Sequence, residues 1–443
     1  MLAVVTPCSK VAILGLDGVP FTVLSCLLQA GVMPRLAEIA QSGALLQMDS
    51  TLPAISSVAW ASFMTGESPG RHGIFGFTDL KPGELALHLP SFDDIRCPTI
   101  WHSLPDKVST VVNLPFTFPA RELNGILIAG FVAPVFERSV YPESLIPWLK
   151  SRRYRIDVDA VKGREDRKAL MQDLFDTLNL RESVILTLMD TRPWDLFVGV
   201  ITGTDRLHHF FFDALGDAGH PFHEDFMAYY RRLDVFVGRF VERIGARTRL
   251  IVLSDHGFTT LHSQIYLNHI LQTLGYLSFS RPNPQSLSDI APSSQAFAMD
   301  PTRIYLNSSD RFRNGLLSHR EAMTVRETLR SDLEELRLID IGMGHQHSVS
   351  DPEAKLFSTV VFKEEIYEGD VLERAPDLVV VPSPGYDPKA SIQTPGPFMK
   401  DIFTGMHTHD DAFLIVSDPS VADRLPRPHI KDVAALVREA FGQ

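Results

Sequence analysis

Three apolar, β-branched runs in this chain end in residues able to ligate a metal. VAILGL runs into Asp17, RLIVLS into Asp255 and His256, and LFVGVIT is followed by Asp205, with His209 at i+4. If TDRLHHFFF opens a helix, the i, i+4 spacing puts Asp205 and His209 on one face; His208, next in the chain, is the alternative ligand. Asp255 and His256 would point to opposite faces of a straight strand, but Gly257 lets the backbone bend so that both turn inward. Carboxylate oxygen with imidazole nitrogen suits Zn²⁺, with Mn²⁺ or Fe²⁺ as alternatives. A single Asp at a strand end more often forms a turn or caps a helix. Three such ends argue for a shared site, because ligands of open α/β sheets gather beyond the carboxyl ends of the strands.

A second constellation is TLPAISSVAWASFMTGESPGRHGIFGF. Ser56 to Met64 reads as a short helix closed by Gly66, with Ser56 at its N-terminus. Unpaired N–H groups and the positive end of the helix dipole would favour an alkoxide there and bind phosphate oxygens. A neighbouring metal would complete the activation of this hydroxyl as a nucleophile. The competing role is structural, with Ser56 or Ser57 capping a core helix.

These groups need a frame that brings them together. Helical stretches such as FTVLSCLLQAG, EDRKALMQDLFDTLNLRESVILTLMD and FHEDFMAYYRRLDVFVGRFVERIG alternate with strand-like VSTVVNLP, GILIAGFV, LFVGVIT and RLIVLSDHG. That rhythm predicts an α/β fold, a mainly parallel sheet sandwiched by helices. It breaks between about Tyr276 and Ile366, where a Ser/Pro-rich patch precedes the helical REAMTVRETLRSDLEELR. The expected organisation is a catalytic core of residues 1–275 and 367–443 with an inserted cap or substrate lobe of residues 276–366. DLVVVPS and FLIVSDP are expected to return the chain to the core.

With 443 residues, 44% of them apolar, the chain can bury a large core. The net charge of −12 argues against a broad basic surface for a nucleic acid polymer, though metal ions could still attract a small anion locally. Cys8, Cys26 and Cys97 are three, with no CxxC spacing, which fits reduced thiols and a cytoplasmic protein. No apolar run approaches the ~18 residues of a membrane span, and no membrane association is expected.

The motifs also occur in a familiar order. The DG after the first strand, SSVAWASFMTGESPGRHGIFGF, NLPFTFP, TGTDRLHHFF, SDHGF, RAPDLVV and GMHTHDDAFLIV together resemble the type I phosphodiesterase/nucleotide pyrophosphatase family of the alkaline phosphatase superfamily. The likeness runs from about Val11 to Pro419 and thins in the proposed insertion. It implies an alkaline-phosphatase-like core and two divalent metal ions. One would be held by Asp205, His209 and His407, the other by Asp17, Asp255, His256 and the oxygen of Ser56. His407 is preferred to His409 because it follows Gly405-Met406, matching the family's G-x-H. Counting back from Thr65-Gly66 puts the nucleophile at Ser56, where many relatives have Thr. The implied activity is phosphodiester hydrolysis of a small phosphorylated substrate through a phosphoseryl intermediate. A phosphomonoesterase or phosphoglycerate-mutase-like phosphotransferase would use a similar core. From another class, a catalytically silent metal- or ligand-binding regulatory relative is the alternative. His345 and His347 in GMGHQHSVSD could reach a substrate, but a solvated loop is the better account of them.

Overall fold

The computed structural model describes residues 8–343, 351–393 and 396–443. His345 and His347 lie outside the described residues. The chain forms two compact units: residues up to Glu67, Ser91–Thr259 and His407–Gln443 make the first, and Ser68–Pro90 with Thr260–Met406 make the second.

The first unit is built on an eight-stranded sheet. Its strands are β1 (Lys10–Leu16), β2 (Ala44–Met48), β3 (Ser109–Leu114), β4 (Gly125–Ala129), β5 (Val140–Tyr141), β6 (Leu196–Ile201), β7 (Thr248–Leu253) and β8 (Ala412–Val416). They lie in the order β2-β8-β7-β1-β6-β3-β4-β5. The neighbours β7, β1, β6, β3 and β4 pair in parallel. β8 enters antiparallel between β7 and β2, and β5 closes the other edge antiparallel to β4. The central strands are buried on both faces beyond their first residues, Lys10 and Thr248, so they read as apolar runs and not as alternating ones.

Register decides where their ends fall. Leu16 pairs with Ile201, and Gly15 pairs with Leu253, so β1, β6 and β7 finish side by side. The residues that follow each strand therefore emerge at one edge. The long helices Arg167–Thr191 and His223–Val241 belong to this unit, the second with a continuous buried stripe from Phe226 to Phe240.

The second unit has a four-stranded antiparallel sheet formed by Ala296–Met299, Arg303–Leu306, Leu378–Pro382 and Phe357–Phe362, in that spatial order. Leu329 and Leu333 of the His319–Glu335 helix are buried in the same apolar core as Val360 and Val380. This corrects the expectation for DLVVVPS, which does not return to the main sheet. Its valines pair with Arg303 on one side and with Val360 and Val361 on the other. A run of valines specifies a buried strand without specifying which sheet buries it. The second unit also begins earlier and ends later than residues 276–366, and it draws in Ser68–Pro90.

Candidate metal centre

All seven residues singled out above fall in the first unit. Asp17 follows β1 and is 2% exposed, while Asp255 and His256 follow β7 and are fully buried. Gly257 matters here through close approach: a Cβ at that position would lie 2.5 Å from Thr408 Oγ1 and 2.8 Å from the Asp411 carbonyl. Asp205 and His209 share the Gly203–Phe211 helix that follows β6. His407 arrives on the strand Gly405–Thr408, just ahead of β8.

The donor atoms of Asp17, Asp255 and His256 lie within 4.8 Å of one another, as do those of Asp205, His256 and His407. His256 Nε2 is 3.4 Å from Asp255 Oδ2 and 3.7 Å from Asp17 Oδ1. On the outer side, His407 Nε2 is 3.2 Å from Asp205 Oδ1 and 3.0 Å from His209 Nε2, which is 3.5 Å from the same Asp205 oxygen. Neither His209 nor His409 supplies an atom to either three-residue group, but His209 adjoins the second through the two contacts just given. His208 is placed differently: Nδ1–H donates to the Gly18 carbonyl at 2.7 Å, and Nε2 accepts from Tyr230 Oη at 2.7 Å. Both ring nitrogens are used, so His208 is a buried brace beside the site, its pKa lowered to about 4 by burial.

Ser56 is the first residue of the Ser56–Thr65 helix, which is preceded by Ile55 and has no side-chain cap. Neither serine therefore does the capping that was the competing explanation. Ser56 Oγ stands 3.3 Å from Asp17 Oδ1 and 3.4 Å from His256 Nε2, at a helix terminus whose first N–H groups have no intrahelical acceptor.

The residues present fit a pair of cations. Asp205 Oδ1 and Asp255 Oδ2 are buried without a hydrogen-bond partner among the described residues, although buried acceptors of this kind are nearly always satisfied. The imidazole tautomers agree. His407 Nδ1–H donates to the Ala54 carbonyl at 2.8 Å and His256 Nδ1–H to the Gly257 carbonyl at 3.1 Å, so each turns the lone pair of Nε2 inward. The electrostatics point the same way. Burial pushes Asp255 up to about 7, and burial together with the charges of Asp255 and Asp205 drives Asp17 well above the carboxylate range. Burial also opposes ionisation of Asp205, but His209, His407 and Arg206 outweigh it and hold that carboxyl well below the usual range. Three carboxylates crowded in a dry recess need positive charge close by.

Several groups that shape the site carried no assigned role in the sequence. Trp60 Nε1 donates to Asp17 Oδ2 at 3.0 Å, Gly18 N–H donates to Asp255 Oδ1 at 3.0 Å, and Thr204 Oγ1 donates to the Asp17 carbonyl at 2.6 Å. Arg206 ties Asp157 at 2.8 Å to Asp205 at 3.4 Å. Phe258 packs its ring against His209 and His407 at centroid distances of 4.9 and 4.8 Å. The i+4 spacing of Ser56 and Trp60 was the one visible signal among these.

Comparison with solved structures gives the architecture a class. Phosphonoacetate hydrolase from Sinorhizobium meliloti 1021, solved with phosphonoformate, aligns with a TM-score of 0.63 at 17% identity, covering 98% of this chain and 96% of that one. Murine ectonucleotide pyrophosphatase/phosphodiesterase 5 aligns with a TM-score of 0.55 at 13% identity, covering 98% and 95%. An inactive form of the murine protein was solved with AMP. No curated protein matches the sequence significantly. These likenesses give the chain the alkaline-phosphatase fold, and the family match that follows gives the class, a metal-dependent hydrolase of phosphoester bonds. Within that class the family model for type I phosphodiesterase/nucleotide pyrophosphatase matches residues 11–410. The chain belongs to the type I phosphodiesterase/nucleotide pyrophosphatase family.

Proposed function

We propose that the protein is a two-metal phosphodiesterase that cleaves a small phosphorylated substrate through a phosphoseryl intermediate at Ser56. The observation that carries this reading is the position of Ser56 Oγ, at a helix N-terminus and within 3.4 Å of both Asp17 and His256. Asp17, Asp255 and His256, with the Ser56 oxygen, would hold one divalent ion; Asp205, His209 and His407 would hold the other. Zn²⁺ suits this oxygen and nitrogen set best, with Mn²⁺ or Fe²⁺ as alternatives. When bound, such ions lower the pKa of a serine hydroxyl and neutralise charge on the phosphoryl group.

The chain's own groups do the positioning. Ser56 Oγ attacks phosphorus in line, the P–O bond to the leaving alcohol breaks, and the helix terminus receives the phosphoryl oxygens. Water then cleaves the phosphoserine, restoring the hydroxyl and releasing the phosphorylated product. No single helix among the described residues is long and apolar enough to cross a membrane. The chain has three cysteines, a sparse and odd set with no CxxC spacing, and we place the protein in the cytoplasm on that ground.

The test is metal analysis of purified protein, paired with hydrolysis of bis-p-nitrophenyl phosphate and p-nitrophenyl phosphate. About two divalent ions per chain and chelator-sensitive diester cleavage are expected. Faster monoester cleavage would keep the site and replace the substrate class. Bound metal with no esterase activity would favour the silent relative.

A further inference from the structure

Trp60 lies one helical turn after Ser56, and its side chain is fully buried. Its indole N–H reaches Asp17 Oδ2 at 3.0 Å, while the other oxygen, Oδ1, faces Ser56 Oγ at 3.3 Å and His256 Nε2 at 3.7 Å. One helix thus sends two side chains to the same carboxylate, one to each oxygen.

The approach depends on a glycine inside β1. A Cβ at Gly15 would stand 2.6 Å from Trp60 Cη2, so any larger residue would push the ring away. Phe63 meets the indole edge-on, with centroids 5.3 Å apart and planes at 87°, which fixes the ring from the helix side. An aspartate carboxyl turns easily about its last torsion. A donor on Oδ2 removes that freedom and leaves Oδ1 presented to the cluster.

We propose that Trp60 is a positioning residue for the hydrolysis: its N–H locks the Asp17 carboxylate and, through the shared helix, fixes that ligand relative to the Ser56 nucleophile. This inference rests on the reading of Asp17 as a metal ligand and Ser56 as the nucleophile. Outer-sphere donors of this kind change metal affinity or activity by ~10–100-fold when removed.

The experiment titrates metal-stripped protein with Zn²⁺ against a chromophoric chelator, and measures kcat and KM on bis-p-nitrophenyl phosphate. Trp60→Phe keeps an aromatic ring and loses the donor. It is expected to bind Zn²⁺ about tenfold or more weakly and to lower kcat with KM nearly constant. Phe63→Leu loosens the ring but keeps the N–H, and is expected to weaken Zn²⁺ binding less than Trp60→Phe does. Wild-type affinity in Trp60→Phe, or a weakening in Phe63→Leu as large as that in Trp60→Phe, would overturn the inference. Should Trp60→Phe fail to fold, the combination of Trp101→Phe, Trp148→Phe and Trp194→Phe leaves Trp60 as the sole indole. Zn²⁺ is then expected to shift its fluorescence, and an unchanged spectrum would overturn the inference. Asp17→Asn separates the two layers. Full Zn²⁺ binding in that variant overturns the site reading, whereas lost binding there with normal binding in Trp60→Phe overturns only the role of Trp60.

Discussion

The two walls of the site differ in how far they are enclosed. Asp17, Asp255 and His256 are essentially sealed, and each is held by a defined donor or acceptor: Trp60, the Gly18 N–H and the Gly257 carbonyl. On the opposite wall the side chains of His209 and His407 remain 23% and 19% exposed. An enclosed, pre-oriented wall loses little entropy on binding an ion, and its charges interact through a lower dielectric. The open wall can exchange with solvent and admit a substrate. The same ligand types are therefore expected to behave as a tight inner position and a looser outer one.

The largest effect belongs to the group between the walls. Ser56→Ala is expected to lower kcat by roughly a thousandfold or more while leaving metal content near that of the wild type, as is usual when a nucleophile is removed from an otherwise intact site. Metal content measured beside the rate separates this from collapse of the site. Next comes Asp255→Asn, which removes an inner charge and should weaken metal retention by more than the ~10–100-fold that loss of an outer-sphere partner costs, seen as sub-stoichiometric metal after dialysis. Unchanged stoichiometry would remove Asp255 from the ligand set.

The comparison itself can be broken by graded chelation. The first ion is expected to leave at lower chelator concentration, and His407→Ala should eliminate that early phase while sparing the later one. Loss of both ions in a single step in the wild type would mean that the walls act as one. The smallest effect on rate is expected from Tyr230→Phe, which deprives His208 of its hydroxyl partner. It should cost about 1–3 kcal/mol of stability in denaturant melts and leave kcat and metal content alone. A large loss of metal would show that His208 belongs to the site after all.

Much of this was legible in the residues. Asp17 and Asp255 could be found because parallel central strands read as apolar runs, so a carboxylate just after such a run marks the strand's end, while Asp205 lies in the helix that opens after the third. The i, i+4 relation of Asp205 and His209 was readable once a helix was expected there. The choice between His208 and His209 was not, because it depends on the Gly18 carbonyl and Tyr230, far away in sequence. The tautomer of His407 is set by the Ala54 carbonyl, which no side-chain pattern reveals. DLVVVPS was correctly a strand and wrongly placed, since its pairing partners Arg303 and Val360 follow from topology and not from its own composition. The tie from Trp60 to Asp17 lay within the quoted motif, but its meaning required knowing that β1 passes under the helix at Gly15.

The position of β8 bears on how the molecule is made. This strand, Ala412–Val416, lies inside the sheet with β7 on one side and β2 on the other. Until the ribosome has delivered it, β2 has no partner and the flank of β7 stands open, a bare strand edge of the kind that invites pairing with other chains. His407 emerges only a few residues earlier. Completion of the sheet and of the proposed ligand set are thus nearly one event, late in synthesis, and a chain released before His407 would lack that imidazole while leaving a strand edge bare.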